Sequence, residues 1–178
     1  IIYNRRPERR KKVGQTAKIA IMTVAVILLA VSLLGLCLCT RRFISAQAFY
    51  QARKYSYDSK FQPQVEDWVK LASLWDKKND LYYRQLAYLY IGQIHTVRST
   101  ILDENQASSY EKQLEDLMQK ANEAALKAVE TDKANYLNHL ALTDFYLASS
   151  GLTANALPWA ESSLKNANEV FPNNVTLI

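Results

Sequence analysis

An apolar run over Ile19–Cys39 constrains this 178-residue chain more than any other feature. It contains no charged residue, and it is bounded by Lys18 on one side and by Arg41 and Arg42 on the other. At a rise of ~1.5 Å per residue, a helix of this length extends roughly 30 Å, which is the thickness of the hydrocarbon core of a bilayer. The sequence therefore predicts a transmembrane helix over residues 19–40, with the lipid bilayer as one partner of the chain.

Positive charge is concentrated before this run. Residues 1–18 carry seven Lys/Arg and one Glu, whereas the chain from Arg41 onward carries 15 Lys/Arg and 16 Asp/Glu. Pro7 and Gly14 disfavour a helix before about Thr16, so residues 1–18 are predicted to be a basic tail or loop. Because Lys and Arg accumulate on the cytoplasmic side of a span, we expect a cytoplasmic N-terminus and an extracytoplasmic domain at the cell membrane. The residues that set this topology are Arg5, Arg6, Arg9, Arg10, Lys11, Lys12 and Lys18.

The part of the chain after the apolar run contains an internal repeat. A pattern of Ala, then Lys or Pro five residues later, then Asn two residues further on occurs over Ala72–Asn79, Ala128–Asn135 and Ala167–Asn174. Beyond the first two, the match continues at one constant offset along the chain. The matching residues are Asn79, Leu81, Leu86 and Tyr90 against Asn135, Leu137, Leu142 and Tyr146.

These residues resemble the tetratricopeptide repeat (TPR), in which one helix carries large-x2-Leu-small-x2-Tyr and the next carries small residues at regular spacing. The resemblance implies an all-α chain in which an α-solenoid of about three TPR-like hairpins, over residues 43–174, follows the transmembrane helix. The unit Ala46–Asn79 has the standard TPR length, Asp80–Asn135 is much longer, and Tyr136–Asn174 is slightly longer. The excess in the middle unit predicts an elongated hairpin, with helices near 80–102 and 108–131.

Both ends of the sequence suggest a segment of a longer protein. The chain begins at Ile1 without a methionine, and residues 175–178 follow Asn174 where a further repeat helix would begin. We therefore expect residues 175–178 to start an additional, truncated helix.

Residue types that support catalysis or metal binding are few. The chain has two histidines and two cysteines, Cys37 and Cys39, both within the apolar run. His139 falls at a packing position of the repeat, and His95 lies in a predicted helix. Since no metal-ligand spacing, phosphate-binding loop or nucleophile motif is present, we predict no catalytic residue, cofactor or metal in this segment. The near-neutral domain lacks a basic face, which argues against nucleic acid as a partner.

The repeat register predicts a partner-binding groove instead. Aromatic side chains and Arg are enriched in protein interfaces. The residues predicted to face the groove are Tyr50, Lys54, Tyr57, Arg84, Tyr88 and Asp144.

Two functions fit these features. The chain resembles single-span TPR proteins, which implies a membrane-tethered scaffold on the extracytoplasmic side that mediates protein–protein interaction in an envelope assembly. Alternatively, the basic stretch, the span and the segments AFYQARKY, YYRQLAYLY and EVFPNN resemble the C-terminal part of O-antigen ligase or polymerase family proteins. In that case the segment would be the last span and repeat domain of a glycosyltransferase whose catalytic part lies upstream.

Overall fold

The computed structural model describes residues 6–56, 61–100 and 107–172, and the side chains from Ala17 onward within those ranges except that of Ala107. The described residues are 87% helical and form no strand. The all-α prediction is therefore confirmed for them, whereas Arg5, Tyr57 and the predicted helix start at 175–178 lie outside them. The helices are α1 Arg6–Tyr55, α2 Gln62–Trp75, α3 Asp80–Ser99, α4 Ala107–Thr131, α5 Tyr136–Ala148 and α6 Ala156–Val170.

The chain forms two units, Ile1–Phe43 and Ile44–Ile178. The first contains the apolar part of α1, and no side chain from Ala17 to Phe43 is buried. The hydroxyls of Thr23 and Thr40 donate to backbone carbonyls one turn earlier, at 2.9 and 2.8 Å, so that neither needs water as a partner. The helix is thus long and apolar enough to span a membrane.

Within the described residues, α1 begins at Arg6, so residues 6–18 of the predicted basic tail or loop are helical. Pro7 falls in the first turn, where a helix makes no use of the missing N–H. Gly14 lies inside the helix, at a cost of about 1 kcal/mol relative to Ala that neighbouring helical residues can offset.

In the second unit, each helix from α2 to α6 packs against the next one along the chain, and α3 also contacts α5. Small side chains at the crossings let the backbones approach closely, and Ala121, Ala125 and Ala128 on α4 are fully buried. The large core residues include Ile94 and Val69, also fully buried. The predicted long hairpin near 80–102 and 108–131 is confirmed as α3 and α4.

The connections before α3 and α5 have the same capping geometry. The side chain of Asn79 accepts a hydrogen bond from Leu81 N at 3.2 Å, and that of Asn135 accepts one from Leu137 N at 3.1 Å. Both Asn residues have an extended backbone, with φ and ψ of −97° and 104° in one and −90° and 105° in the other. These are N-caps, which satisfy a backbone N–H at each helix start.

In each of these connections a side chain of the following helix also hydrogen-bonds to a backbone carbonyl, and the two side chains occupy equivalent positions of the repeat. Tyr83 donates its hydroxyl to the carbonyl of Lys77 at 3.4 Å, and His139 Nε2 lies 3.0 Å from the carbonyl of Lys133. Since a carbonyl oxygen only accepts, Nε2 of His139 carries the proton. A structural role for His139 therefore accounts for its position.

The preceding helices end alike at the repeated alanines. Ala72, Ala128 and Ala167 are fully buried. The residue four positions after each donates its N–H to that alanine's carbonyl, at 3.0, 3.1 and 3.0 Å respectively. The sequence repeat is thus accompanied by a repeat of local structure.

Candidate partner-binding surface

Arg84 joins α3 to the start of α5. Its Nη1 donates to Asn138 Oδ1 at 2.8 Å and to Asp80 Oδ2 at 3.2 Å, and its side chain is only 13% exposed. Asn135 Nδ2 donates to the same Asp80 oxygen at 2.7 Å. Arg84, predicted as a groove contact, therefore has a structural role in holding α5 against α3.

Tyr88 and Asp144 lie beside each other on α3 and α5, and the phenol and carboxylate interact. Burial, followed by the proximity of Asp144, raises the pKa of Tyr88 to about 12. Burial also raises the pKa of Asp144, which the hydrogen bond with Tyr88 opposes. Arg84 is close enough to lower the Tyr88 pKa, so the structure brings three of the six predicted groove residues together.

Tyr50 and Lys54 lie one turn apart near the end of α1. Tyr50 is 62% exposed, and the Lys54 ammonium lies 5.2 Å from the centre of the Tyr55 ring, a cation–π contact. Both side chains are accessible to a partner. Tyr57, the remaining predicted groove residue, lies outside the described residues.

A cavity of about 330 Å³ opens between α1, α2 and α3. Its lining residues are Phe49, Ala52, Arg53, Ser56, Val65, Leu81 and Gln85. Arg53 is exposed, and its guanidinium makes no ion pair or side-chain hydrogen bond with any described residue. Sequence reasoning missed this cavity, although Arg53 lies one turn after Phe49 and three residues after Tyr50.

A second, more open cleft of about 480 Å³ lies between α4, α5 and the start of α6. Trp159 and Tyr146 face it with ring centroids 5.6 Å apart, and Asn122 contributes a buried side-chain oxygen without a partner among the described residues. In the preceding repeat, Glu66 and Tyr90 are equivalent to Asn122 and Tyr146. Glu66 accepts a hydrogen bond from the Tyr90 hydroxyl at 2.9 Å. The side-chain oxygen of Glu66 thus has a hydrogen-bond partner, whereas that of the equivalent Asn122 has none among the described residues.

Burial of Glu66 raises its pKa, but hydrogen bonds from Lys70 and Tyr90 outweigh burial and hold the pKa below the usual 4.5. Glu66 therefore remains ionised in its half-buried position. It links α2 to α3 through Tyr90 and does not resemble a proton-transfer group.

The residues that the structure describes include no group of three His, Cys, Asp or Glu side chains placed to hold a metal ion. The free thiols of Cys37 and Cys39 are exposed on the apolar part of α1. No protein-family model matches this chain, and no curated protein matches it.

Proposed function

We propose that this chain is a membrane-tethered, TPR-like scaffold whose helical domain binds another protein on the extracytoplasmic side, as part of an envelope assembly. The tether is the apolar part of α1, whose length and unburied apolar surface suit a bilayer. The basic residues before it support the proposed orientation, since Lys and Arg favour the cytoplasmic side.

The equivalent connections before α3 and α5 support a repeat architecture. Matching Asn caps and matching side-chain bonds to the carbonyls of Lys77 and Lys133 are expected where one supersecondary unit is repeated along the chain. In a TPR-like solenoid the first helices of successive hairpins line a concave surface. Under this proposal those helices are α1, α3 and α5.

The observation that carries the binding function is the cavity between α1, α2 and α3. It combines an accessible cation at Arg53, an apolar wall from Phe49 and Leu81, and the exposed ring of Tyr50 nearby. An Arg beside aromatic side chains is a frequent centre of protein interfaces. The partner is expected to supply a carboxylate for Arg53 and an apolar side chain for the cavity.

Site-specific photo-crosslinking in the native membrane tests this function. A benzophenone amino acid replaces Tyr50 in one variant and the exposed Glu161 of α6 in a matched control. We expect discrete protein adducts at position 50 that disappear when Arg53→Glu is added, and no such adduct at position 161.

Two results would contradict the proposal. Equal adduct patterns at positions 50 and 161 would indicate nonspecific encounters. Adducts at position 50 that contain lipid-linked sugar and no protein would instead support the glycosyltransferase alternative.

A further inference from the structure

An apolar patch lies at the C-terminal end of α2. Leu71, Leu74 and Trp75 are 40, 62 and 39% exposed. Their spacing of three and four residues places them on one face of the helix. Lys77 and Lys78, both exposed, follow in the next turn. We call Leu71, Leu74 and Trp75 the α2 patch.

The α2 patch is not a feature of the repeat. The equivalent positions, found by matching the repeated alanines, are Lys127, Glu130 and Thr131 on α4 and Asn166, Glu169 and Val170 on α6. On α4, two of them form an ion pair with N and O 3.0 Å apart, as expected for a helix face in water. Of these six residues only Val170 is apolar, so packing of the hairpins does not require a cluster of apolar residues at these positions, and the α2 patch needs another explanation.

The C-terminal end of α2 is hydrogen-bonded to Ser45, which closely follows the apolar run Ile19–Cys39. The hydroxyl of Ser45 donates to the carbonyl of Ala72 at 2.9 Å, in a buried contact one residue from Leu71. Ser45 follows Thr40, the last residue of the predicted span, by five positions. Five residues reach at most about 17 Å, so the turn of α2 that bears the patch lies within reach of the bilayer surface.

We propose that the α2 patch is a lipid contact, in which Leu71, Leu74 and Trp75 enter the interfacial region of the bilayer that α1 spans. This inference rests on the proposed tether. Trp is favoured at the membrane–water interface because its ring is apolar and its N–H is polar. Lys77 and Lys78 are placed to meet lipid phosphates, as Arg41 and Arg42 are after the span. The domain thereby gains a second attachment to the bilayer.

Depth-dependent fluorescence quenching tests the patch in the full chain, reconstituted in vesicles of phosphatidylcholine and phosphatidylglycerol. The chain has three tryptophans, so Trp68→Phe with Trp159→Phe leaves Trp75 alone. Trp68→Phe with Trp75→Phe leaves Trp159, which is similarly exposed at 45% and serves as the matched control.

With a nitroxide placed on the acyl chain near the headgroup, we expect Trp75 emission to fall about twofold or more, since interfacial side chains enter roughly 5–10 Å. Emission from Trp159 should not change. Adding Leu71→Ser and Leu74→Ser should restore most of the Trp75 emission, with the far-ultraviolet circular dichroism unchanged because both side chains are exposed.

Alkaline carbonate extraction of the same vesicles tests the transmembrane tether independently of the lipid contact proposed for the α2 patch. If the chain resists extraction and Trp75 is not quenched, the patch is refuted while the tether stands. If Trp75 and Trp159 are quenched equally, a localised contact is refuted. Release of the whole chain by carbonate refutes the tether, and with it the patch. Trp75 shielded from aqueous acrylamide without lipid quenching indicates a second copy or another protein on α2, which also refutes the proposal.

Discussion

Among replacements that keep the volume of the side chain, that of Asn138 should lower the free energy of unfolding of the domain the most. It is fully buried at the start of α5. Its Nδ2 donates to the carbonyls of Ala128 at 3.0 Å and Asp132 at 2.9 Å, and its Oδ1 accepts from Arg84 at 2.8 Å. One side chain thus joins α5 to α3 and to the end of α4.

Asn138→Leu keeps the approximate volume and removes these three bonds. Two neutral bonds contribute about 1 kcal/mol each, and the charge-assisted bond to Arg84 contributes about 1.5–3 kcal/mol. Burial of the leucine side chain returns about 1.5 kcal/mol. The expected net loss in the free energy of unfolding is therefore about 2–3.5 kcal/mol. Arg84 keeps its bond to Asp80 in this variant, so its guanidinium is not left unpaired.

Urea unfolding of the full chain in detergent micelles, followed by circular dichroism, measures this loss. Asn166→Leu on the exposed side of α6 is the matched control and should change stability by less than about 0.5 kcal/mol. In a double-mutant cycle with Arg84→Met, the two replacements should be non-additive. A loss at Asn138 no larger than that of the control, or full additivity with Arg84, would refute the assigned network.

Three further outcomes are expected in the same unfolding assay. Ser45→Ala should lower stability by about 1 kcal/mol, because it removes the buried hydrogen bond to Ala72; no change would contradict that bond. Burial raises the pKa of Glu66, but its hydrogen bonds hold the pKa below 4.5 in the folded state. Ionised Glu66 therefore stabilises the fold at pH values above the usual carboxyl pKa, and this stabilisation is lost as the pH falls through the pKa of the folded state. Glu66→Gln should therefore make stability less dependent on pH in acid, and an unchanged pH profile would count against this. Ala125→Leu should cost about 1–3 kcal/mol or more, since Ala125 is fully buried between helices, and a neutral effect would argue against close packing there.

The sequence was sufficient to predict the helices, but it did not predict every boundary. The difference in unit length predicted the long α3–α4 hairpin, because added helical turns keep the same face inward. The start of α1 was missed, since Pro7 and Gly14 are unfavourable in a helix interior and only their actual positions in the helix decide the cost.

The candidate site was less predictable because it depends on contacts distant in sequence. The repeat register placed Arg84 on the groove side, yet the register pairs Asn138 with Tyr82 and gives no sign that Asn138 would bind Arg84. The cavity beside Arg53 depends on the gap between α1 and α3, which local patterns do not encode. Helix packing, and not a sequence motif, determines which residues line this cavity.

Protease protection in oriented vesicles tests the central claim, a domain tethered across the membrane from its basic N-terminus. Proteinase K is added to right-side-out and to inverted vesicles, and the fragments are mapped by mass spectrometry. We expect digestion of the domain over residues 44–178 in right-side-out vesicles, with the apolar part of α1 and the basic residues before it protected. In inverted vesicles only the basic residues should be removed. Protection of the domain in right-side-out vesicles with digestion in inverted ones, or the absence of any protected fragment that contains residues 19–40, would contradict the account.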